Sequence, residues 1–425
     1  MIKYRVMKQF TFEIYGAEQV PAELANVKAW TDEHAHTAVL VQIYAGLLEK
    51  RRIERVVKMV KEALPDALIA GASSGGEIKS GRMIPQSVLI CISVFEETTV
   101  SMLTYQAKAG EESETGRAVC AAIEGTPEIK AAELFADSWK ISTAVLFPEI
   151  NKCSSRVKMF GAAPYAHDVK HEMFIFTGDN MTDVTLIVIL YAGKGFHVTT
   201  DYCIGWQPIG TAMTVTKADG TMLFEIDGHT ATSVYEKYLQ IPADDHFYEN
   251  AFAFPLLLYT HDTYMLRMPF SCTPEGAVSL VAPVKEGDTL FLSYGDIITL
   301  LAELDETRKR MERFRPQYIR LYSCATRKMF WKKNIDKELQ PAQRVAESSG
   351  FFTGGELLRV NGQLIHFNST LLIIGMREGT GGSRESALSR RLQEADDTDL
   401  IHTAMVRRMA HFINVAMQEA HGGHM

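Results

Sequence analysis

At 425 residues, 46% of them hydrophobic and 23% charged, the chain has the composition of a globular protein with room for two or three cores. A formal net charge of −8, with no basic cluster longer than Lys50-Arg51-Arg52, excludes nucleic acid as the main partner. No run approaches the roughly 18 consecutive apolar residues of a membrane span, and six cysteines without a CxxC pair argue against a zinc site or disulfide scaffold, so no membrane partner and a cytoplasmic location are expected.

The apolar run Thr37 to Gly46 reads as a buried strand, and the stripe Ile53, Val56, Val57, Val60 and Leu64 as a helix stopped by Pro65. Ala67 to Ala72 is a second strand, broken by Ser73-Ser74-Gly75-Gly76-Glu77, and Ser87–Phe95 and Thr99–Tyr105 follow as further strands. Such a start predicts mixed sheets covered by helices, a mixed α/β (α+β) fold. Glu112–Ile123 and Ile129–Trp139 are predicted helices and Ser142–Phe147 a strand. Strands are expected at Met173–Thr177, Val184–Tyr191 and Gly195–Cys203, and a hairpin around Ala218-Asp219-Gly220. A domain boundary is placed near residue 228, giving domains 1–228 and 229–378. After it come a helix at Ala231–Leu239, strands at Gly276–Val284 and Thr289–Tyr294, and a helix from Asp296 to Phe314.

Residues 319–376 concentrate polar and glycine-rich turns at the ends of apolar runs, where α/β proteins place ligands. Ser323-Cys324 invites a nucleophile reading with His366 as base, hence a cysteine-dependent hydrolase as an alternative, but no nucleophile-elbow pattern surrounds Cys324. Arg327 could grip a carboxylate and Glu356 receive an ammonium, or the two could pair with each other. Gly354 and Gly355 would let the backbone approach a ligand, and Asn368 and Thr370 either bind or cap the turn before the last strand. The pentapeptide Ser74-Gly75-Gly76-Glu77-Ile78 is echoed by Thr353-Gly354-Gly355-Glu356-Leu357. No metal site is assigned. A single axial histidine would suffice for haem, so haem stays open as a cofactor with no ligand assigned.

Together these pieces resemble the FIST family of bacterial sensory modules, across roughly residues 37–378. The resemblance rests on Ser74-Gly75-Gly76-Glu77-Ile78, Gly205-Trp206-Gln207-Pro208-Ile209-Gly210, Arg267-Met268-Pro269-Phe270, Ser323-Cys324, Arg327, Gly350-Phe351, Gly354-Gly355-Glu356 and His366-Phe367-Asn368-Ser369-Thr370. It implies an N-terminal and a C-terminal FIST domain that bind a small, amino-acid-like ligand and feed a diguanylate cyclase, a histidine kinase or a chemotaxis transducer, with no catalysis of their own. Some members of the family sense nitric oxide through haem, which is the alternative within the same resemblance. The expected ligand site is Ser323, Cys324, Arg327, Gly354, Gly355, Glu356, Asn368 and Thr370. Residues 379–425 read as a glycine linker and a helical segment leading to an output domain. Their seam Leu388, Leu392, Ala395, Asp399, His402, Val406, Met409, Ile413 and Ala416 predicts a homodimer contact.

Overall fold

Short apolar runs alternating with amphipathic stretches build one strand–helix–strand motif three times. The computed structural model describes residues 7–46, 49–84, 87–165 and 172–379, together with 408–409, 411–413 and 415–416. The first repeat holds β1 (Lys8–Ile14), α1 (Val20–Glu33), β2 (Ala38–Gly46), α2 (Lys50–Ala63), β3 (Leu68–Ser74), β4 (Glu77–Lys79), β5 (Arg82–Ile84) and β6 (Val88–Phe95). The second holds β7 (Thr99–Tyr105), α3 (Glu112–Glu124), β8 (Ile129–Ala136), α4 (Thr143–Ile150), β9 (Lys158–Ala163), β10 (Ile175–Thr177) and β11 (Leu186–Ala192).

The third opens with β12 (Phe196–Cys203) and is then interrupted by β13 (Trp206–Asp219), β14 (Met222–Ile226), β15 (His229–Thr230), α5 (Ala231–Leu239), α6 (Phe247–Ala251), β16 (Leu256–Thr260), β17 (Thr263–Arg267), β18 (Pro269–Cys272), β19 (Val278–Leu280) and β20 (Thr289–Gly295). It resumes with α7 (Ile297–Phe314), β21 (Tyr318–Cys324), α8 (Ala325–Trp331), α9 (Asp336–Val345), β22 (Glu347–Thr353), β23 (Gly355–Val360), β24 (Gln363–Phe367) and β25 (Leu371–Glu378).

The chain divides into two compact units: residues 1–203 with 303–392, and residues 204–302 with 393–425. The expected boundary at 228 falls inside the second unit, between β14 and β15. In that unit one sheet runs β17-β16-β20-β13-β14-β19-β18, with β15 on β14. Its core includes Val215, Leu223, Tyr235, Leu256, Leu257, Leu290 and Leu292.

In the first unit each repeat centres a sheet on a parallel pair, β2 with β3, β8 with β9 and β21 with β22. An antiparallel strand of the same repeat flanks each pair: β6 on β2, β11 on β8 and β25 on β21. The other flank is donated by a different repeat. β10 of the second repeat adds to β3, β23 of the third to β9, and β4 of the first to β22. The exchange is cyclic, so no repeat completes its sheet without another.

The registers place matching pairs at equivalent positions of the three repeats. Ile43 faces Gly71, Leu134 faces Gly161 and Leu321 faces Gly350. A Cβ on any of the three glycines would run into the carbonyl oxygen of the residue it faces, which is why glycine stands there. Equivalent backbone bonds close each strand end: Gly46 N–H to Ser87 O at 3.2 Å, Asp137 to Thr185 at 2.9 Å and Cys324 to Thr370 at 3.0 Å. One residue before the facing positions stand Gln42, Glu133 and Arg320, and these three meet. Glu133 accepts from Gln42 Nε2 at 3.1 Å and Arg320 Nη1 at 2.6 Å, and also from the hydroxyls of Tyr191 and Tyr322. Four donors on one fully buried carboxylate satisfy what desolvation removes.

Two expected elements are exchanged in type. Residues 129–136 are strand β8, not a helix, and residues 143–150 are helix α4, not a strand. Ala131-Ala132-Glu133 favours a helix locally, but the segment is buried in mid-sheet, where small alanines fit and Glu133 meets its donors. The seam residues up to 407, Asp399 and His402 among them, lie outside the described residues. No described helix is long and apolar enough to cross a membrane.

Candidate functional site

The C-terminal ends of the parallel strands are the natural ligand face of such a unit. The first strands of the three pairs end at Gly46, Asp137 and Cys324, which occupy equivalent positions. The second strands run into turns held by another cyclic set of bonds: Gly75 N–H to Phe352 O at 2.7 Å, Tyr165 to Ser73 at 3.0 Å and Gly354 to Ala163 at 3.1 Å. Beyond the turns, Glu77 pairs in register with Phe351, Glu356 with Ala162 and Ile175 with Ala72. The pentapeptide echo is therefore a structural equivalence, and the second repeat carries Ile175 where the others carry glutamate.

Both glutamates are fully buried. Glu77 accepts from Ser74 Oγ at 2.5 Å, and from Ser87 N–H at 3.3 Å and Ser87 Oγ at 3.0 Å. Burial pushes its carboxyl up to about 7 against these donors. Glu356 accepts from the Thr353 hydroxyl and from Thr370 N–H at 3.2 Å. Here the hydroxyl matching that of Ser87 turns away, Thr370 Oγ1 donating to the Asn368 carbonyl at 3.0 Å instead. Glu356 thus has one donor fewer than Glu77. Burial raises its pKa too, offset by Thr353, Thr370 and the charge of Arg327.

Cys324 is a fully desolvated thiol whose pKa is driven up by burial and then by the charge of Glu356. That is the opposite of what a thiolate nucleophile requires. His366 Nδ1 lies 3.2 Å from Thr143 Oγ1, and its ring packs where a Gly355 side chain would stand. Arg327 does not pair with Glu356. Its Nε donates to Glu338 Oε1 at 2.8 Å and its Nη1 to the Ser369 carbonyl at 2.6 Å, while Trp331 Nε1 reaches the same carboxylate oxygen at 2.9 Å. Its guanidinium therefore ties α8, α9 and the 368–370 turn together. Ser323 Oγ and Asn368 Oδ1 are buried without a hydrogen-bond partner. Gly354 lies against Pro164 O, too close for any side chain.

Seven of the eight expected residues thus fall on the strand ends of the third repeat and the turns beside them, and Arg327 lies in α8. Sequence reading passed over Ser74, Glu77 and Ser87 in the first repeat, although the echo pointed to Glu77. It also passed over Lys328, whose ammonium donates to the Gly75 carbonyl and sits 5.3 Å above the Phe352 ring. Burial lowers its pKa while Glu77 opposes the shift.

In the second unit a cavity of about 300 Å³ is lined by Ile209, Gly210, Thr211, Met213, Tyr238, Leu292, Phe412 and Ala416. The tail segment reaches it: Phe412 stacks obliquely on Tyr238 at 5.8 Å, His411 Nε2 lies 3.0 Å from the Lys237 carbonyl, and Arg408 Nη2 donates to Asn250 Oδ1 at 2.7 Å.

Comparison with known proteins matches the FIST N domain over residues 39–229 and the FIST C domain over residues 231–359. The two ranges meet at residues 229–231. An uncharacterized protein of Methanocaldococcus jannaschii is 20% identical over 327 residues, covering 71% of this chain and 63% of that relative's length.

Proposed function

The chain belongs to the FIST family, whose domains are associated with sensory signal transduction, and we propose that it is the input part of a signalling protein that binds a small amino-acid-like ligand at the strand ends of the first unit. The observation that carries this reading is the inequality of the two equivalent turns. Glu77 is saturated by its neighbours, whereas Glu356 keeps acceptor capacity, next to a turn whose Asn368 Oδ1 has no partner; that turn leads into β25, whose Leu371 pairs with Ser323, itself with an unpartnered Oγ. An ammonium group offers three donors and suits a carboxylate, an amide oxygen and a hydroxyl. In this reading Glu356, Asn368 and Ser323 receive the ligand, and Gly354 and Gly355 let the turn that carries Glu356 pack against Pro164 and His366. Cys324 and Thr370 line the site, and Arg327 positions the 368–370 turn.

Occupancy is relayed through the C-terminal segment to an output domain, with residues 384–420 as a homodimer contact. A thermal-shift survey of free amino acids and simple amines tests the binding step. At least one compound should raise the melting temperature in a saturable way, and Glu356→Gln should abolish that rise. The proposal fails if no compound shifts the protein at 10-fold steps up to roughly 10 mM, where even millimolar affinity is visible as about 1.4 kcal/mol.

A further inference from the structure

We propose a second binding site in the first unit, for a small oxyanion held by Arg52 and Arg55. It stands apart from the Glu356 turn and does not depend on the sensory reading. The site is a cavity of about 310 Å³ lined by Ile14, Tyr15, Gly16, Ala17, Glu18, Arg52, Arg55, Val56 and Val88. That volume is at the small end of ligand pockets, the size of a metabolite fragment.

Its floor is apolar, because Ile14 at the end of β1, Val56 in the middle of α2 and Val88 at the start of β6 are fully buried. One rim is the loop from β1 into α1. Gln19 Oε1 accepts from Tyr15 N–H at 2.6 Å and Gly16 N–H at 3.2 Å, which fixes that loop. The Glu18 carboxylate folds back against Gly16. The other rim is the first half of α2, where positions 52, 55 and 56 share a face.

The two guanidinium groups make no side-chain hydrogen bond or ion pair among the described residues. The lysines of the same helix are all engaged: Lys50 with Glu172 at 3.4 Å, Lys58 with Glu62 at 3.9 Å, and Lys61 with Asp179. Two unpaired forks over an apolar floor form a receptor for a planar or tetrahedral oxyanion, gripped by paired N–H donors. Glu18 on the facing rim leaves the mouth one charge short of neutralising a dianion, so the site prefers a single negative charge.

Calorimetric titration with acetate, methylphosphonate and inorganic phosphate, at constant ionic strength set with sodium chloride, tests this. Acetate and methylphosphonate separate carboxylate from phosphoryl chemistry. Wild type should bind at least one of them saturably, the Arg52→Ala/Arg55→Ala variant should bind it at least tenfold more weakly, and Glu18→Gln should bind it more tightly. A Lys58→Ala/Lys61→Ala variant removes the same charge from the same helix and should bind like wild type. Equal loss in the lysine variant, an unchanged arginine variant, or no saturable binding of any of the three probes overturns the proposal.

Discussion

Arg320→Met should be among the most damaging single changes in the protein, although residue 320 touches no candidate ligand. Its guanidinium donates to Glu133 Oε2 at 2.6 Å, with both side chains essentially without solvent contact. Removing it leaves a buried carboxylate with only Gln42, Tyr191 and Tyr322 as donors, all of them neutral. Stranding one member of a buried ion pair costs about 3–5 kcal/mol, where an exposed pair would cost under about 1. Glu133→Gln should cost a similar amount, because Arg320 then keeps its charge without a counter-charge. The Arg320→Met/Glu133→Gln pair should be far less harmful than the sum, with a coupling energy of roughly 2 kcal/mol or more. Urea unfolding followed by tryptophan fluorescence measures all four states. Additive losses, or an Arg320→Met variant within about 1 kcal/mol of wild type, would refute the claim that the three repeats are locked together at this point.

Three further outcomes are expected. Burial lifts Glu77 from 4.5 to about 7, so between those values the fold keeps a proton that the unfolded chain has lost, and stability falls as pH rises from about 4.5 towards 7. The loss from this group approaches roughly 3 kcal/mol, and urea midpoints at pH 5 and pH 8 should show a smaller loss for Glu77→Gln than for wild type, the remainder coming from Glu356, whose pKa burial also raises. Native iodoacetamide labelling read by peptide mass spectrometry should modify the half-buried Cys120 and Cys272 and spare Cys324, whose thiol is buried. Rapid labelling of Cys324 would revive the hydrolase reading. Sedimentation of the full chain should give a dimer and a version ending at Arg377 a monomer, and identical masses would remove the tail as the dimer contact.

Strands such as β2, β3 and β6 were legible because they are buried on both faces and read as unbroken apolar runs. The inverted pair β8 and α4 was not, since each has the local preference of the other type and only the surrounding sheet decides. The threefold repetition is nearly invisible in the sequence for a related reason. Its requirements are geometric, met by Gly71, Gly161 and Gly350 and by backbone bonds that any residue can make. Positions facing the shared centre must instead differ: Gln42 and Arg320 both donate to Glu133, a neutral group and a base meeting an acid. Glu356 could be found from its echo, but the partner of Arg327 could not, because Glu338 reaches it only once α8 and α9 have folded against each other.

The cyclic exchange of strands gives a physical route by which one turn can influence another. β4 leaves the Gly75-Gly76-Glu77 turn and adds to β22, whose own end is the Thr353-Gly354-Gly355-Glu356 turn, and β23 leaves that turn to add to β9. Lys328 bridges the first contact directly, donating from the third repeat to the Gly75 carbonyl of the first. A ligand that charges Glu356 therefore acts on strands of two sheets at once, and a shift of either turn is felt across a backbone ladder, not through loose side chains. The FIST N and FIST C ranges meet in the second unit between β14 and α5, yet residues 303–378 supply β21, β22, β23 and β25 to the sheets begun by residues 8–203. The three repeats form one structural unit, so its physical boundary is set by strand donation and runs across both sequence domains.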